Sequence, residues 1–307
     1  MAIPAEKFER LTQNDNNAED IKRPSVGYWK DSWRRLKQNK LALTGLIIIM
    51  ALILMAIAVP VFSDISYEEQ DLLNRDAPLS GEHWFGTDDL GRDVFTRTWY
   101  GAGVSLTVGI AAALIDLIVG VIYGGISGFR GGRTDEFMMR IVDVLWGLPY
   151  LLVVILLLVI MEPGLVTIII ALSITGWLNM ARLVRGQVLQ LKEQEYVLCA
   201  TTMGASTWRL LSKHLIPNSM GPILVLVTFT VPNAIFAEAF LSFLGLGIQA
   251  PFASWGTMIN DSLIVISPYI DSWWRLFFPA FFLSLVLLAF NALGDGLRDA
   301  LDPKMRK

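Results

Sequence analysis

The chain has 307 residues, of which 54% are hydrophobic and only 17% are charged, and its mean hydropathy is +0.52. This composition is typical of an integral membrane protein and excludes an ordinary soluble domain. A formal net charge of −3 indicates little by itself, but the single cysteine excludes an internal disulfide. The two histidines, His83 and His214, are far apart in sequence, so we expect no histidine-based metal site.

The first 40 residues are polar and basic, and we interpret 1–40 as a tail that ends in an amphipathic helix. From Tyr28 to Lys40, aromatic and basic residues alternate at helical spacing, which is typical of a helix lying on anionic headgroups. A protein partner is the alternative ligand for this face. The block from Leu41 to Phe62 follows and makes a helix of about 33 Å, long enough to cross the roughly 30 Å hydrocarbon core.

Five further apolar blocks bring the predicted number of spanning helices to six, at about 103–128, 137–161, 164–181, 220–246 and 276–293. Of the 25 Lys and Arg residues, 21 lie in the two tails and in the segments 129–140 and 182–219. The excess predicts that both termini and these segments are cytoplasmic. We therefore predict a tail with an interfacial helix at 1–40, a first span at 41–62 and an extracytoplasmic segment at 63–100. A core of five spans, which includes the loop 182–219, follows at 101–294, and a cytoplasmic tail follows at 295–307.

The one long polar interruption in the C-terminal half runs from Gln190 to Gly221. Its first part predicts a short helix, Glu193 to Met203, with an apolar face formed by Tyr196, Val197, Ala200 and Met203. Gly204 is expected to end that helix, and Ser206 or Thr207 to cap a second one that Pro217 closes. The second helix carries apolar Trp208, Leu210, Leu211 and Leu215. A hairpin of this kind presents a compact knob to a soluble partner.

The predicted extracytoplasmic segment ends in HWFGTDDLGRDVFTRTWYGAGVSL, from His83 to Leu106. Asp88, Arg92, Asp93 and Arg97 follow each other at spacings that allow pairing on a short helix. Such a helix either satisfies its own charges or also serves as the docking surface for a substrate-delivering protein.

Two carboxylates fall inside predicted spans, where ionisable residues are functional candidates by default. For Asp116, in the middle of the second span, a structural hydrogen bond and a place in a transport pathway are both open. Glu238 lies near Pro232 and Asn233, which would open the helix backbone, and we favour pathway lining by Asn233 and Glu238. Glycines every four residues, Gly120 to Gly128, indicate close helix packing, with a gate as the alternative.

The blocks together resemble the C-type permeases of oligopeptide, dipeptide and nickel ABC importers, most closely the oligopeptide branch. The resemblance is carried by GTDDLGRDVFTR from Gly86 to Arg97, by EAFLSFLGLG from Glu238, by GDGLRDALDP from Gly294, and by the polar loop. In that loop Ala200, Gly204 and Pro217 match the family's coupling pattern. Leu198 and Cys199 depart from it, standing where the family usually has Glu and Ala.

The resemblance implies an all-α membrane protein with the six-helix type I ABC importer permease fold and a cytoplasmic coupling helix. It implies a heterodimer with a homologous B-type permease, two ABC ATPases carrying ATP and Mg, an extracytoplasmic peptide-binding protein and a peptide substrate, in a prokaryotic cell membrane. This chain would bind no cofactor and no nucleic acid and would catalyse nothing. The residues expected to contact the ATPase are Glu195, Cys199, Ala200, Gly204, Ala205, Arg209, His214 and Pro217.

Motif absences agree with that division of labour. The sequence contains no G-x-x-x-x-G-K-[ST], so ATP hydrolysis must come from partner chains. It also lacks G-x-S-x-G and H-E-x-x-H, which removes the commonest hydrolase and zinc-protease interpretations. Besides the dipeptide and nickel branches, two other classes stay open: an ion-coupled secondary transporter using Asp116 and Glu238, and a membrane scaffold. The first leaves the loop unexplained, and the second leaves the intramembrane carboxylates unexplained.

Overall fold

The computed structural model describes residues 27–263 and 271–301, and every regular element in those ranges is a helix. The predicted tail before residue 27 and the last six residues of the predicted C-terminal tail lie outside the described residues. The α-helices are α1 Tyr28–Gln38, α2 Lys40–Phe62, α3 Val94–Arg130, α4 Gly132–Trp146, α5 Tyr150–Ile160, α6 Leu165–Lys192, α7 Glu195–Thr202, α8 Thr207–Leu210, α9 Ile216–Phe243, α10 Trp255–Asp261 and α11 Trp274–Leu301.

Five helical stretches are long and apolar enough to cross a membrane, and a bent pair makes a sixth span if it is counted as one. That pair is α4 and α5, which meet at an angle of 83°. The predicted spanning block 137–161 is therefore two helices, which make one span only when they are counted together. Pro149 lacks a backbone N–H and disfavours helical backbone at the residue before it, so the first helix ends and a new one begins.

Several helices extend beyond the predicted apolar blocks, because hydropathy marks the lipid-facing part of a helix and not its ends. Helix α3 begins at Val94, where the Asp93 side chain accepts a hydrogen bond from the Thr96 backbone N–H at 2.8 Å. Helix α6 continues to Lys192, into the predicted loop, and α11 continues to Leu301, into the predicted C-terminal tail.

Helix α3 is the central element: it packs along α6, α2 and α9, and α11 packs against α2 and α9. The glycine stripe faces α6. A methyl group on Gly128 would lie 2.8 Å from the Arg185 carbonyl oxygen, and one on Gly124 would collide with Ala181. Close helix packing, as predicted for this stripe, is confirmed.

Helix α1 has the two faces that its sequence predicts. Ser32 and Leu36 are buried, and Leu36 packs with Ala42 and Ala300, whereas Trp33 is half exposed. Contact of this exposed face with lipid headgroups stays a prediction.

Candidate functional site

The predicted knob, which we define as residues 193–215, is a helical hairpin closed by glycine. Gly204 has φ +81°, a conformation that side chains with a Cβ rarely adopt. The Ala205 N–H donates to the Ala200 carbonyl at 3.1 Å and the Gly204 N–H donates to the Thr201 carbonyl at 3.0 Å. These two bonds form a Schellman motif, so the role of Gly204 as the end of α7 is confirmed.

The inner face of the knob is anchored on the membrane helices. Ser206 caps α8, its hydroxyl accepting from the Arg209 N–H at 3.4 Å. Val197, Leu210 and Leu215 are buried in a cluster with residues of α6 and α9. The knob is thus fixed to the transmembrane bundle by apolar packing.

The outer tip of the knob carries large apolar side chains that nothing in the described chain covers. Met203 is 87% exposed and Trp208 is 77% exposed. Both flank the Gly204 turn, whereas the sequence pattern had assigned Met203 to the same face as buried Val197. Large exposed apolar groups at the tip of a packed element are typical of a surface that meets another protein.

The second knob helix does not end at Pro217. A π-turn, Leu211–Leu215, joins α8 to α9, and Thr207–Phe243 is one helical stretch of 37 residues. The wide turn accommodates a proline that lacks an N–H, and Asn218 Nδ2 donates to the His214 carbonyl at 2.6 Å. The predicted closure is therefore wrong, and the knob is continuous with a membrane-spanning helix.

The residues expected to contact an ATPase all lie on or next to this knob. Glu195, Cys199, Gly204, Arg209 and Pro217 are exposed, and Ala200, Ala205 and His214 are partly buried. Their contact with a partner stays a prediction.

A cavity of about 360 Å³ lies among α3, α5, α6 and α9, beside the α4–α5 bend. Asp116 and Asn233, both candidate pathway residues, line it, as do Tyr150, Gly176 and Asn179. Asp116 is only 4% exposed, and its Oδ1 has no hydrogen-bond partner in the described chain. The hydroxyl of Tyr150 is likewise buried and unpartnered. The cavity wall therefore holds two buried polar atoms that have no hydrogen-bond partner among the described residues.

Glu238 behaves differently from Asp116. It is fully buried, it does not line the cavity, and its two oxygens accept from Ser105 at 3.0 Å and from Ser242 at 2.7 Å. Serines on α3 and α9 satisfy its oxygens and bind the two helices together. Lining of the transport pathway by Glu238 stays a prediction.

Asp88 organises the outer segment, which we define as residues 63–93 and name for its predicted side of the membrane. Its carboxylate accepts from the Leu90 and Arg92 backbone N–H groups at 2.9 Å and from Arg92 Nε at 2.6 Å. Arg97 Nε lies 3.7 Å away. Residues 86–93 form a loop around this carboxylate, so the predicted short helix is wrong up to the start of α3.

The other candidate docking residues are also turned inward. Asp93 caps α3 and lies 3.0 Å from His83 Nδ1, and Arg97, 3% exposed, donates to the Tyr67 carbonyl. Arg92 is partly buried. Asp88, Arg92, Asp93 and Arg97 thus have partners within the chain, and a docking role for the surface of this segment stays a prediction.

Arg275 was missed at the sequence level and fastens the outer segment to the bundle. It is 3% exposed and pairs with Asp76 at 2.8 Å and with Asp89 at 3.1 Å. The nearby Asp261 carboxyl has a pKa above its usual value because of burial, an effect that the charges of Arg97 and Arg92 oppose. Because Arg275 and Asp76 are 199 residues apart in sequence, no local pattern predicts this pair.

Among residues 27–263 and 271–301 no group of His, Cys, Asp and Glu side chains is arranged to hold a metal ion. The described site consists of packing surfaces, a polar cavity and the knob.

Comparison with known families gives two matches. Residues 120–307 match the model for the binding-protein-dependent transport system inner membrane component, and residues 27–78 match that for the N-terminal TM domain of oligopeptide transport permease C. The first match covers more than half of the chain.

Curated relatives match over nearly the whole length. The chain is 61% identical to the dipeptide transport system permease protein DppC of Bacillus subtilis, covering 99% of this chain and 95% of that protein. It is 61% identical to the oligopeptide transport system permease protein OppC of the same organism, covering 99% of each, and 40% identical to OppC of Escherichia coli, over 95% and 96%.

Among solved structures, an inward-facing MetNI methionine ABC transporter has a chain that matches with a TM-score of 0.52 at 16% sequence identity. The match covers 66% of this chain and 94% of that one. At this identity the likeness shows the fold alone, which is that of an ABC transporter permease.

Proposed function

The chain belongs to the binding-protein-dependent transport system inner membrane component family, the permease subunits of ABC importers, and we propose that it forms half of the translocation pathway of an ATP-driven peptide importer. The knob is the observation that carries the coupling part of this proposal. Its apolar tip is exposed, its inner face is packed on α6 and α9, and its second helix continues into the membrane as α9. A force on the tip is thereby transmitted to the bundle.

The proposed partners follow from this geometry and from the family. One of two ABC ATPases, which bind ATP and Mg, would receive Met203 and Trp208 in a groove, with Glu195, Cys199 and Arg209 around them. A homologous B-type permease would complete the pathway. Closure of the ATPases on ATP would move the two permeases as rigid bodies between inward- and outward-facing states.

The orientation that we propose has both termini and the knob in the cytoplasm. The support is the distribution of Lys and Arg, 21 of 25 on that side. An extracytoplasmic binding protein would then dock on the surface of the outer segment, whose shape the buried Asp88 and Arg275 networks hold fixed. In this arrangement Asp88, Arg92, Asp93 and Arg97 act by shaping the surface, since most of their area is buried.

A peptide is the substrate that we propose. Relatives named for dipeptides and for oligopeptides are equally identical to this chain, which supports a peptide without fixing its length. Nickel is disfavoured because the residues that line the cavity include neither histidine nor cysteine, the side chains that suit this metal. The cavity residues Asp116 and Asn233 would lie on the peptide's path.

The test is ATP-dependent uptake of a labelled short peptide into vesicles that hold this chain, its homologous permease, both ATPases and the binding protein. A parallel sample receives an ionophore. We expect uptake that requires ATP and is unaffected by the ionophore. Uptake that persists without ATP and collapses with the ionophore would overturn the proposal and favour the ion-coupled transporter, in which the unpartnered Asp116 carries the ion.

A further inference from the structure

We propose that Asp116 is the centre of a subsite that binds the α-ammonium group of the passing peptide. This inference rests on the proposed peptide-import function and adds the substrate group that this part of the pathway recognises. It begins from a contrast between two buried carboxylates on neighbouring helices, one with its oxygens satisfied and one without.

The carboxylate of Asp116 is held in the cavity wall with its bonding capacity unused. Only 4% of the surface of Asp116 is exposed, and its Oδ1 has no hydrogen-bond partner in the described chain. The space it occupies exists because Gly176 on α6 has no side chain; a Cβ there would collide with both carboxylate oxygens. An acidic group inside a membrane protein is costly unless it is paired, so a site built to keep it unpaired indicates a ligand that supplies the pairing.

The lining around Asp116 suits a cation with several N–H donors. Asn179, Asn233 and Thr230 provide side-chain oxygens that accept hydrogen bonds, and Tyr150 provides an aromatic face that attracts a cation. The ring of Trp146, which also lines the cavity, already has the Arg182 guanidinium over it, at 4.7 Å from the ring centroid. Among the lining residues Asp116 is the sole carboxylate, and no Lys, Arg or His is present. The site therefore selects positive charge and gives no counter-charge to a carboxylate.

The α-ammonium is the cationic group that peptides share regardless of their side chains. A pathway that accepts many sequences can hold its substrates only through such constant groups. The cavity volume of about 360 Å³ is at the small end of the range for ligand sites, which fits one end of a peptide and not its whole length. We therefore assign the subsite to the amino terminus.

The experiment compares two labelled substrates in the reconstituted transporter: a tripeptide with an N-terminal phenylalanine, and its hydrocinnamoyl analogue, which lacks only the amine. Initial ATP-dependent uptake rates are measured for the natural chain, for Asp116→Asn and for Gly176→Ala, and are normalised to assembled transporter. Because every sample receives the same loaded binding protein, any preference of that protein cancels when a variant is compared with the natural chain.

We expect both variants to lower uptake of the amine-bearing peptide roughly tenfold to a hundredfold, the size of a lost hydrogen bond to a charged group, with the analogue's rate unchanged. Asp116→Asn removes the charge at constant shape, and Gly176→Ala displaces the carboxylate at constant charge. Glu238→Gln is the matched control: it changes a buried carboxylate outside the cavity and should leave the ratio of the two rates as it is, whatever the total rate.

Three results would overturn the inference. Equal loss for both substrates would make Asp116 a structural residue, and no loss for either would remove it from the pathway. Absence of ATP-dependent uptake of both substrates by the natural chain would instead contradict the peptide-import function itself, and the subsite with it. That last result is seen without any variant, so the two failures are distinguishable.

Discussion

The outer segment and the knob are both polar interruptions between membrane helices, yet their side chains are arranged in opposite ways. In the outer segment and the first turn of α3, Asp88, Asp93 and Arg97 are buried and have partners within the chain. In the knob, Met203 and Trp208 are exposed at the tip, while small and aliphatic residues anchor the base.

The difference distinguishes buried residues that fix the shape of a surface from exposed residues that would contact a partner protein. A charged side chain that is hydrogen-bonded inside the fold contributes mainly to the shape of the surface. Turning it outward toward another protein would leave its buried partner without a hydrogen bond. A large apolar side chain that is exposed to water becomes stabilising only when another molecule covers it. The same distinction divides the membrane core, where Glu238 has serine partners and Asp116 has an unused oxygen.

The largest effect that we expect is at Asp88, in the outer segment. Asp88→Ala leaves the Arg92 and Arg97 guanidinium groups, both little exposed, without their nearest carboxylate. We expect the free energy of unfolding to fall by about 3–5 kcal/mol, the usual cost of removing one partner of a buried pair. The measurement is thermal unfolding of the purified protein in detergent.

Glu82→Ala is the control for that variant, because Glu82 lies on the surface of the same segment. Its thermal unfolding should match that of the natural chain. If Asp88→Ala were as stable as this control, the outer segment would not be held by its internal charges.

Trp208 tests the other half of the comparison. Trp208→Ala should leave the stability of this chain within about 0.5 kcal/mol, since the side chain is exposed. Binding of the ATPase should weaken by roughly 2 kcal/mol or more, as expected for a buried interface tryptophan. The readout is the ATPase concentration needed to saturate the permease in detergent.

Leu210→Ala provides the contrast within the same helix, because Leu210 is 1% exposed. It should lower the chain's own stability by about 2–5 kcal/mol through loss of packing. Unchanged ATPase affinity in Trp208→Ala would show that the tip is not the contact surface.

Gly204 links the two halves of the knob. Gly204→Val forces a β-branched residue into φ +81°, at a cost of roughly 1–2 kcal/mol, and should loosen the Schellman turn. We expect ATP hydrolysis by the assembled transporter to continue while peptide uptake falls. Gly186→Ala, in a helix with open space around it, is the matched glycine control and should transport normally; normal uptake by Gly204→Val as well would contradict a lever role for the knob.

The smallest effect concerns the buried carboxylate that has partners. Ser105→Ala removes the hydrogen bond that Glu238 accepts from Ser105 and should cost about 1 kcal/mol of stability. Differential scanning calorimetry of the purified chain would detect it. A loss of transport at unchanged stability would instead support a place for Glu238 in the pathway.

Local patterns in the sequence predicted what local physics determines. The apolar blocks identified the membrane spans, the glycine stripe identified a close helix contact on α3, and Gly204 identified the turn of the knob. Each of these depends on residues within a few turns of helix, or on a small side chain that permits close approach whatever the neighbour is.

What the sequence could not predict depends on residues far apart. Arg275 meets Asp76 only after the bundle has assembled, and the serines around Glu238 come from two different helices. The outward direction of Met203 follows from how α7 lies on α6, which periodicity alone does not define. The continuity of the helix through Pro217 required a π-turn that has no sequence signature of its own.

The most direct test of the central claim uses Cys199, the one cysteine of the chain, which is exposed on the knob. Its alkylation rate by a maleimide is measured by mass spectrometry of this chain, first in the permease pair alone and then in the complete complex with ATPases. The account predicts strong protection in the complex, because the knob enters an ATPase groove. An equal rate in both samples would contradict it.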